Sequence, residues 1–227
     1  MWLSPRWRAW DDTGRPLEAL TCVGVDVSDT GGDRTVLALR HGDVIAELRN
    51  HAKEETMQTV GRVSGVLTAH EGAYAVVDVI GIGAGVVSRL REMFPTGARI
   101  EAFNAAERSD AKDHSGELGF ANKRAAAWWN LRELLDPAAG ANIALPPDDT
   151  LTGDLTAAHW RVQSGGKILI ESKDDIRGRI GRSTDAGDAV VQAFVPRLTR
   201  ATMDAGAVAN WEMLNARLVR PSQWYDP

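Results

Sequence analysis

Short apolar runs and helical spacings follow one another along the first half of the chain, and they predict most of its elements. "LTCVGVDV" (20–27) reads as a first strand. "RTVLALR" (34–40) and "VIAELRN" (44–50) follow as a hairpin closed by the turn "HGD". In "EETMQTVGRVSGVLTAHEG", Met57, Val60, Val63 and Leu67 recur at helical spacing, with acids at the start and Gly72 at the end. "YAVVDV" (74–79) is an apolar run of the buried-strand kind, "VVSRLREMF" has the spacing of a helix, and "RIEAF" (99–103) is a further strand.

The stretch from Asn104 to Gly119 is polar and long for a loop, a kind of segment that often carries function. "FANKRAAAWWNLRELL" predicts a helix with Phe120, Ala127, Leu131 and Leu134 on one face and with Trp128 and Trp129 packed. A helix near 151–160, a strand "KILIE" (167–171) and a closing helix in "STDAGDAVVQAFVPRL", N-capped by Ser183, complete the chain's core. The order βββαβαβα, then mixed elements and a closing helix, predicts an α/β fold. Its mixed sheet has three antiparallel strands first and helices on both faces. Residues 1–19 read as a linker or arm in which some of Trp2, Trp7 and Trp10 pack. Residues 20–202 read as the domain, and 203–227, with Trp211, Trp224 and Tyr225, as a tail offering a partner surface.

Composition adds limits. With 44% hydrophobic and 25% charged residues the chain can bury a sizeable core. Its net charge of −5 argues against an open basic surface but leaves room for a local basic stripe. The lone Cys22 rules out an internal disulfide and a zinc framework, and no histidines stand at H-x-x-x-H spacing. No run approaches the roughly 20 apolar residues of a membrane helix, and "MWLSPRWRAW" lacks a signal-peptide core. An intracellular location and no membrane partner are expected.

The chemistry lies in the acids. Asp26 sits inside an otherwise Val/Gly strand, where a carboxylate is costly unless paired. Asp78 ends the fourth strand, and Asp188 lies one turn into the last helix. In a βββαβαβ sheet the first and fourth strands can be neighbours, which would set Asp26 beside Asp78 and let the helix bring Asp188 to them. Clustered carboxylates repel, and all-oxygen ligands select hard cations such as Mg²⁺ or Mn²⁺. Two such ions roughly 3.5–4 Å apart would clamp a phosphodiester for in-line displacement. Asp185 and Asp33 are further candidate ligands. Asp185, at the second helical position, would otherwise serve the helix dipole, and Asp33 and Asp29 would be loop acids. "GIGAGV" (81–86) has Val86 where a dinucleotide loop needs its third glycine, and Gly166-Lys167 lacks the rest of a P-loop.

"VGVDVSDTGGDRTV", "VVDVIGIGAGVVSRL", "NKRAAAWWNLRELL" and "ESKDDIRGRIGRSTDAGDAVVQAF" together resemble the C-terminal nuclease domain of tailed-phage terminase large subunits. The likeness runs from about residue 20 to 195, with all four blocks in family order. It implies a ribonuclease H-like fold, two divalent cations (Mg²⁺ or Mn²⁺), and cleavage of concatemeric double-stranded DNA during viral genome packaging. By position Asp26, Asp78 and Asp188 match the family's metal ligands, Asp33 the acid of its "GGD" turn, and Lys173 the lysine before its last helix. The chain departs from the family's "SPD" at Ser183-Thr184-Asp185, where a helix-starting proline is lost.

The resemblance also implies partners: a packaging ATPase domain absent from this chain, a small terminase subunit and a portal protein, in the cytoplasm of an infected bacterium. Lys123, Arg124, Arg177, Arg179 and Arg182 are candidate DNA contacts, with an ordinary solvated face as the competing reading. No base-reading motif is visible, so little sequence preference is expected. The alternatives are a junction-resolvase-like nuclease of the same fold, an actin-like sugar kinase needing a second half, and a non-catalytic portal or capsid docking module.

Overall fold

β1 (Leu20–Asp26), β2 (Arg34–His41) and β3 (Val44–Ala52) form an antiparallel meander. The turn between β2 and β3 places Gly42 at φ 55°, in the left-handed region that glycine tolerates best. The computed structural model describes residues 18–28, 34–52, 55–95, 99–139 and 143–196, together with Pro16. Asp29, Asp33, Trp2, Trp7, Trp10 and the 203–227 tail lie outside the described residues.

After α1 (Thr56–Ala69), β4 (Tyr74–Asp78) enters parallel to β1, and after α2 (Gly83–Met93), β5 (Ile100–Phe103) pairs parallel to β4. The sheet order is therefore β3-β2-β1-β4-β5, which makes the first and fourth strands neighbours. This is the mixed sheet expected from the strand order, with helices on both faces.

Those faces follow from strand alternation. Val23, Val25, Leu37, Leu39, Ala75 and Val77 point to one side, where they pack with Val60, Val63 and Leu67 of α1 and Val86, Val87 and Leu90 of α2. Gly24 points to the other, where α6 (Asp185–Ala193) crosses β1, β2 and β4. A Cβ on Gly24 would lie 2.0 Å from the Ala189 carbonyl oxygen, so only glycine admits this approach. At the far end of α6 the buried Arg40 donates to the Ala193 carbonyl at 2.6 Å and lies over the Phe194 ring. There it places a cation against the negative end of the helix.

The described residues divide into two compact units. The first holds the five-stranded sheet with α1, α2, α4 (Asp149–Ala157), α5 (Lys173–Ile180) and α6. The second comprises Ala106–Ile143 and Trp160–Ile170 among its described parts. In it α3 (Lys123–Leu135) packs on a small sheet of order β6-β8-β7, made of Gly119–Phe120, Lys167–Ile170 and Trp160–Gln163. Trp128 and Trp129 are buried, and Trp129 meets Trp160 edge-on at 4.8 Å. Among the described residues no helix is long and apolar enough to cross a membrane.

Four local expectations are corrected. Met57 is 57% exposed, because the buried stripe of α1 runs through Thr59, Val60, Val63, Ser64, Val66 and Leu67. Phe120 lies in β6 rather than on α3, whose N-cap is Asn122. The closing helix is N-capped by Thr184 instead of Ser183, which moves Asp185 to its first position. Strand β7, all of whose residues are exposed, escaped the apolar pattern.

Candidate active site

β1 delivers Asp26 to the α6 side of the sheet, two residues beyond Gly24, where it is 3% exposed. The last parallel β1–β4 pair is Val25↔Val77, so Asp26 and Asp78 take the next register position on adjacent strands. Asp78 is less buried than Asp26, and its Oδ1 accepts the Ile80 N–H at 2.9 Å. The glycine loop after it serves this strand end: a Cβ on Gly83 would stand 1.8 Å from the Asp78 carbonyl oxygen. That close approach accounts for Gly83, and Gly81 takes the left-handed backbone at φ 68° that leads into it.

The first turn of α6 brings Asp185 and Asp188 to the same place, and α5 brings Lys173. The Lys173 ammonium lies 2.8 Å from Asp26 Oδ2, 3.1 Å from Asp185 Oδ1 and 3.5 Å from Asp188 Oδ2. Ser172 starts α5 by accepting the Asp175 N–H, so Lys173 is its first helical residue. Asp185 Oδ2 accepts the Arg34 N–H at 3.0 Å, and Asp188 Oδ2 accepts the Thr184 hydroxyl at 2.8 Å. Lys173 thus binds together parts of the chain up to 147 positions apart.

Burial pushes the Asp26 carboxyl well above the usual carboxylate range; Lys173 opposes that, while Asp188 and Asp185 add to it. Burial works against the charge on Lys173 as well, but Asp26, Asp188 and Asp185 more than offset it and raise its pKa. For Asp185, burial is outweighed by Lys173 and the Arg34 N–H, and its carboxyl is held low.

Among the described residues no three His, Cys, Asp or Glu side chains stand as a metal-holding group. The donor set nevertheless suits a hard cation. Asp26, Asp185 and Asp188 offer oxygen alone, one ammonium balances one of their charges, and Asp26 is the group with most to gain from a further cation.

The candidate DNA contacts are scattered. Lys123 is ion-paired with Glu107, and Arg124 lies 5.0 Å over the Trp128 ring. Arg177 is exposed on α5, and Arg179 is engaged by Glu171 and the Ala157 carbonyl. Arg182 is held by the buried Asp154 of α4. Asp154 and Thr184 escaped sequence reasoning. Asp154 did leave a signal, since Leu151, Asp154 and Ala157 share the buried stripe of α4, where an acid requires a partner.

No protein-family model and no curated protein sequence gives a significant match. Solved structures do. The nuclease domain of the large terminase subunit gp2 of bacterial virus Sf6 superposes with a TM-score of 0.64 at 23% identity, covering 82% of this chain and 93% of that one. The large terminase nuclease from thermophilic phage G20c, solved with bound magnesium, gives 0.54 at 19% identity, covering 79% and 82%. The chain has the fold of phage large-terminase nuclease domains. A third such domain, from Thermus phage P74-26, agrees at a TM-score of 0.51 and 18% identity, covering 79% of this chain and 80% of that one. A mutant of the Sf6 domain has also been solved with manganese.

Proposed function

We propose that this chain is a divalent-metal-dependent endonuclease of viral genome packaging, which cuts concatemeric double-stranded DNA with little sequence preference. One observation carries the proposal: Asp26, Asp185 and Asp188 converge on Lys173 at the end of a sheet whose fold is that of terminase nucleases. Asp26, Asp78 and Asp188, joined by Asp185, would hold two cations, Mg²⁺ or Mn²⁺. When bound, such cations supply charge to the scissile phosphate and lower the pKa of water for in-line attack.

The chain's own residues prepare that chemistry. Adjacent parallel strands end at Asp26 and Asp78, so both lie on the rim of the sheet where a phosphate can approach. The Thr184 hydroxyl and the Arg34 N–H each occupy one oxygen of Asp188 and Asp185, which restrains both carboxylates. Lys173 keeps the acids together and carries a positive charge for the phosphate. Its side chain is 35% exposed. Lys123, Arg124 and Arg177 are the candidate contacts to flanking phosphates. An ATPase domain, a small subunit and a portal are the partners this function calls for, in the cytoplasm of an infected bacterium.

Cleavage of supercoiled plasmid tests the proposal. With Mg²⁺ or Mn²⁺ the wild type is expected to nick and linearise DNA, chelator to stop it, and Asp26→Asn to slow it roughly 10³-fold or more. Equal cleavage by Asp26→Asn, or full activity in chelator, would contradict it. A wild type inert under both metals would favour a docking role.

A further inference from the structure

The first turn of α6 carries Asp185 and Asp188, yet its N-cap residue, Thr184, makes no capping hydrogen bond with its side chain. In an ordinary helix start the N-cap oxygen accepts the N–H of the second or third helical residue. Here the third helical residue is Gly187, and its N–H donates at 3.0 Å to Asp154 Oδ2, which comes from α4. The Thr184 hydroxyl is thereby left to donate to Asp188. The cap has moved to another helix, and the usual capping group serves a carboxylate instead.

Asp154 is only 1% exposed, and its second oxygen accepts from Arg182 Nη1. Arg182 is fastened in turn by the Ser183 carbonyl at 3.2 Å and the Thr150 carbonyl at 3.3 Å. Gly153 makes room for it, since a Cβ there would stand 2.7 Å from Arg182 Nη2. A carboxylate is a costly choice of cap at this place, because Asp185 and Asp188 already bring negative charge to the same turn. A guanidinium in a charge-assisted hydrogen bond offsets part of that cost and fixes the direction of the carboxylate. An Asn or Ser would cap without it.

We propose that Asp154 and Arg182 are a positioning pair for the acidic turn: Asp154 caps α6 from outside, freeing Thr184 to orient Asp188, and Arg182 neutralises the charge so added. The inference rests on the reading of Asp185 and Asp188 as metal ligands, and it gives Arg182 a scaffolding role in place of a phosphate contact.

Amide hydrogen exchange on the metal-free protein and Mn²⁺ titration followed by electron paramagnetic resonance test it on Asp154→Ala, Asp154→Asn and Gly153→Ala. Asp154→Ala is expected to speed exchange at Gly187 roughly five- to tenfold, the factor equivalent to a lost N-cap. Exchange at Leu37, in the sheet, should stay unchanged. Mn²⁺ affinity should weaken about tenfold, the usual effect of losing a group that orients a metal ligand. Asp154→Asn, which keeps an oxygen for Gly187, should restore the slow exchange and part of the affinity.

Gly153→Ala crowds the end of the Arg182 side chain and leaves Asp154 in place, so it serves if Asp154→Ala does not fold; a guanidinium pushed off Asp154 should lower Mn²⁺ affinity severalfold. A merely structural pair would lower the melting temperature and leave the Mn²⁺ affinity of the folded protein unchanged. That result would overturn the proposal, as would unaltered exchange at Gly187. A wild type that takes up no Mn²⁺ would refute the metal reading instead, and exchange at Gly187 would still judge the cap.

Discussion

On the α1 and α2 side of the five-stranded sheet, the residues that β1, β2 and β4 give to the core are Val23, Val25, Leu37, Leu39, Ala75 and Val77, all aliphatic. On the α6 side the same strands set Cys22, Asp26, Arg40, Tyr74 and Asp78 among the buried Val36, Ala38 and Val76, and α6 answers with Asp185, Asp188 and Gln192 beside its apolar residues. One face excludes water around hydrocarbon and stabilises the fold. The other buries charges that cost free energy unless each meets a partner. Asp26 meets Lys173, Arg40 meets the end of α6, and Tyr74 meets Arg40, while the buried Gln192 Oε1 accepts no hydrogen bond from the described residues. A sheet can therefore carry a strained polar site on one face because the opposite face is ordinary.

The sharpest separation is expected at Leu37, which is fully buried on the aliphatic side. Leu37→Ala should lower stability by about 2–5 kcal/mol, as other large-to-small core changes do. At a temperature where the variant is folded, its Mn²⁺ affinity should match wild type. Denaturant melts and a metal titration together check this, and a weakened affinity would mean that the two faces are coupled.

Gly24 is where they should be coupled, because its Cβ position lies against the backbone of α6. Gly24→Ala should cost about 1–3 kcal/mol by overpacking. It should also reduce plasmid cleavage in the folded protein, since α6 must move and Asp185 and Asp188 move with it. Lost stability with full cleavage would show that the helix can shift without disturbing its acids.

The division of the faces was legible where alternation is strong. β1, β2 and β4 announce themselves by apolar periodicity, and Asp26 stands out because it interrupts it. The register that sets Asp26 beside Asp78 follows from the strand order, Asp188 stands out by its place one turn into the last helix, and Lys173 was found through the family likeness. The missed features depend on distances along the chain that no local pattern encodes. The ion pair of Arg182 went unseen because a sequence does not show that Asp154, 28 positions away, is buried beside it. Thr184 was overlooked because Ser183 is an equally good N-cap by type. Met57 fits the helical spacing of α1 but falls one step off the stripe that the sheet covers.

The central claim is that the polar face is a cation site whose key carboxylate is Asp26. Its pKa is raised in the folded protein, so ionised Asp26 lowers stability progressively as pH climbs from the unfolded value near 3.9 towards the folded one. A bound divalent cation reverses that cost, and an uncharged isostere avoids it. Calorimetric titration of Mn²⁺ at neutral pH into wild type and Asp26→Asn, with melting temperatures taken before and after, tests this directly. The account predicts saturable binding and a rise in melting temperature for wild type. For Asp26→Asn it predicts no rise and metal-free stability equal to or above wild type. Equal Mn²⁺ binding by the two proteins, or a variant that is markedly less stable without metal, would contradict it.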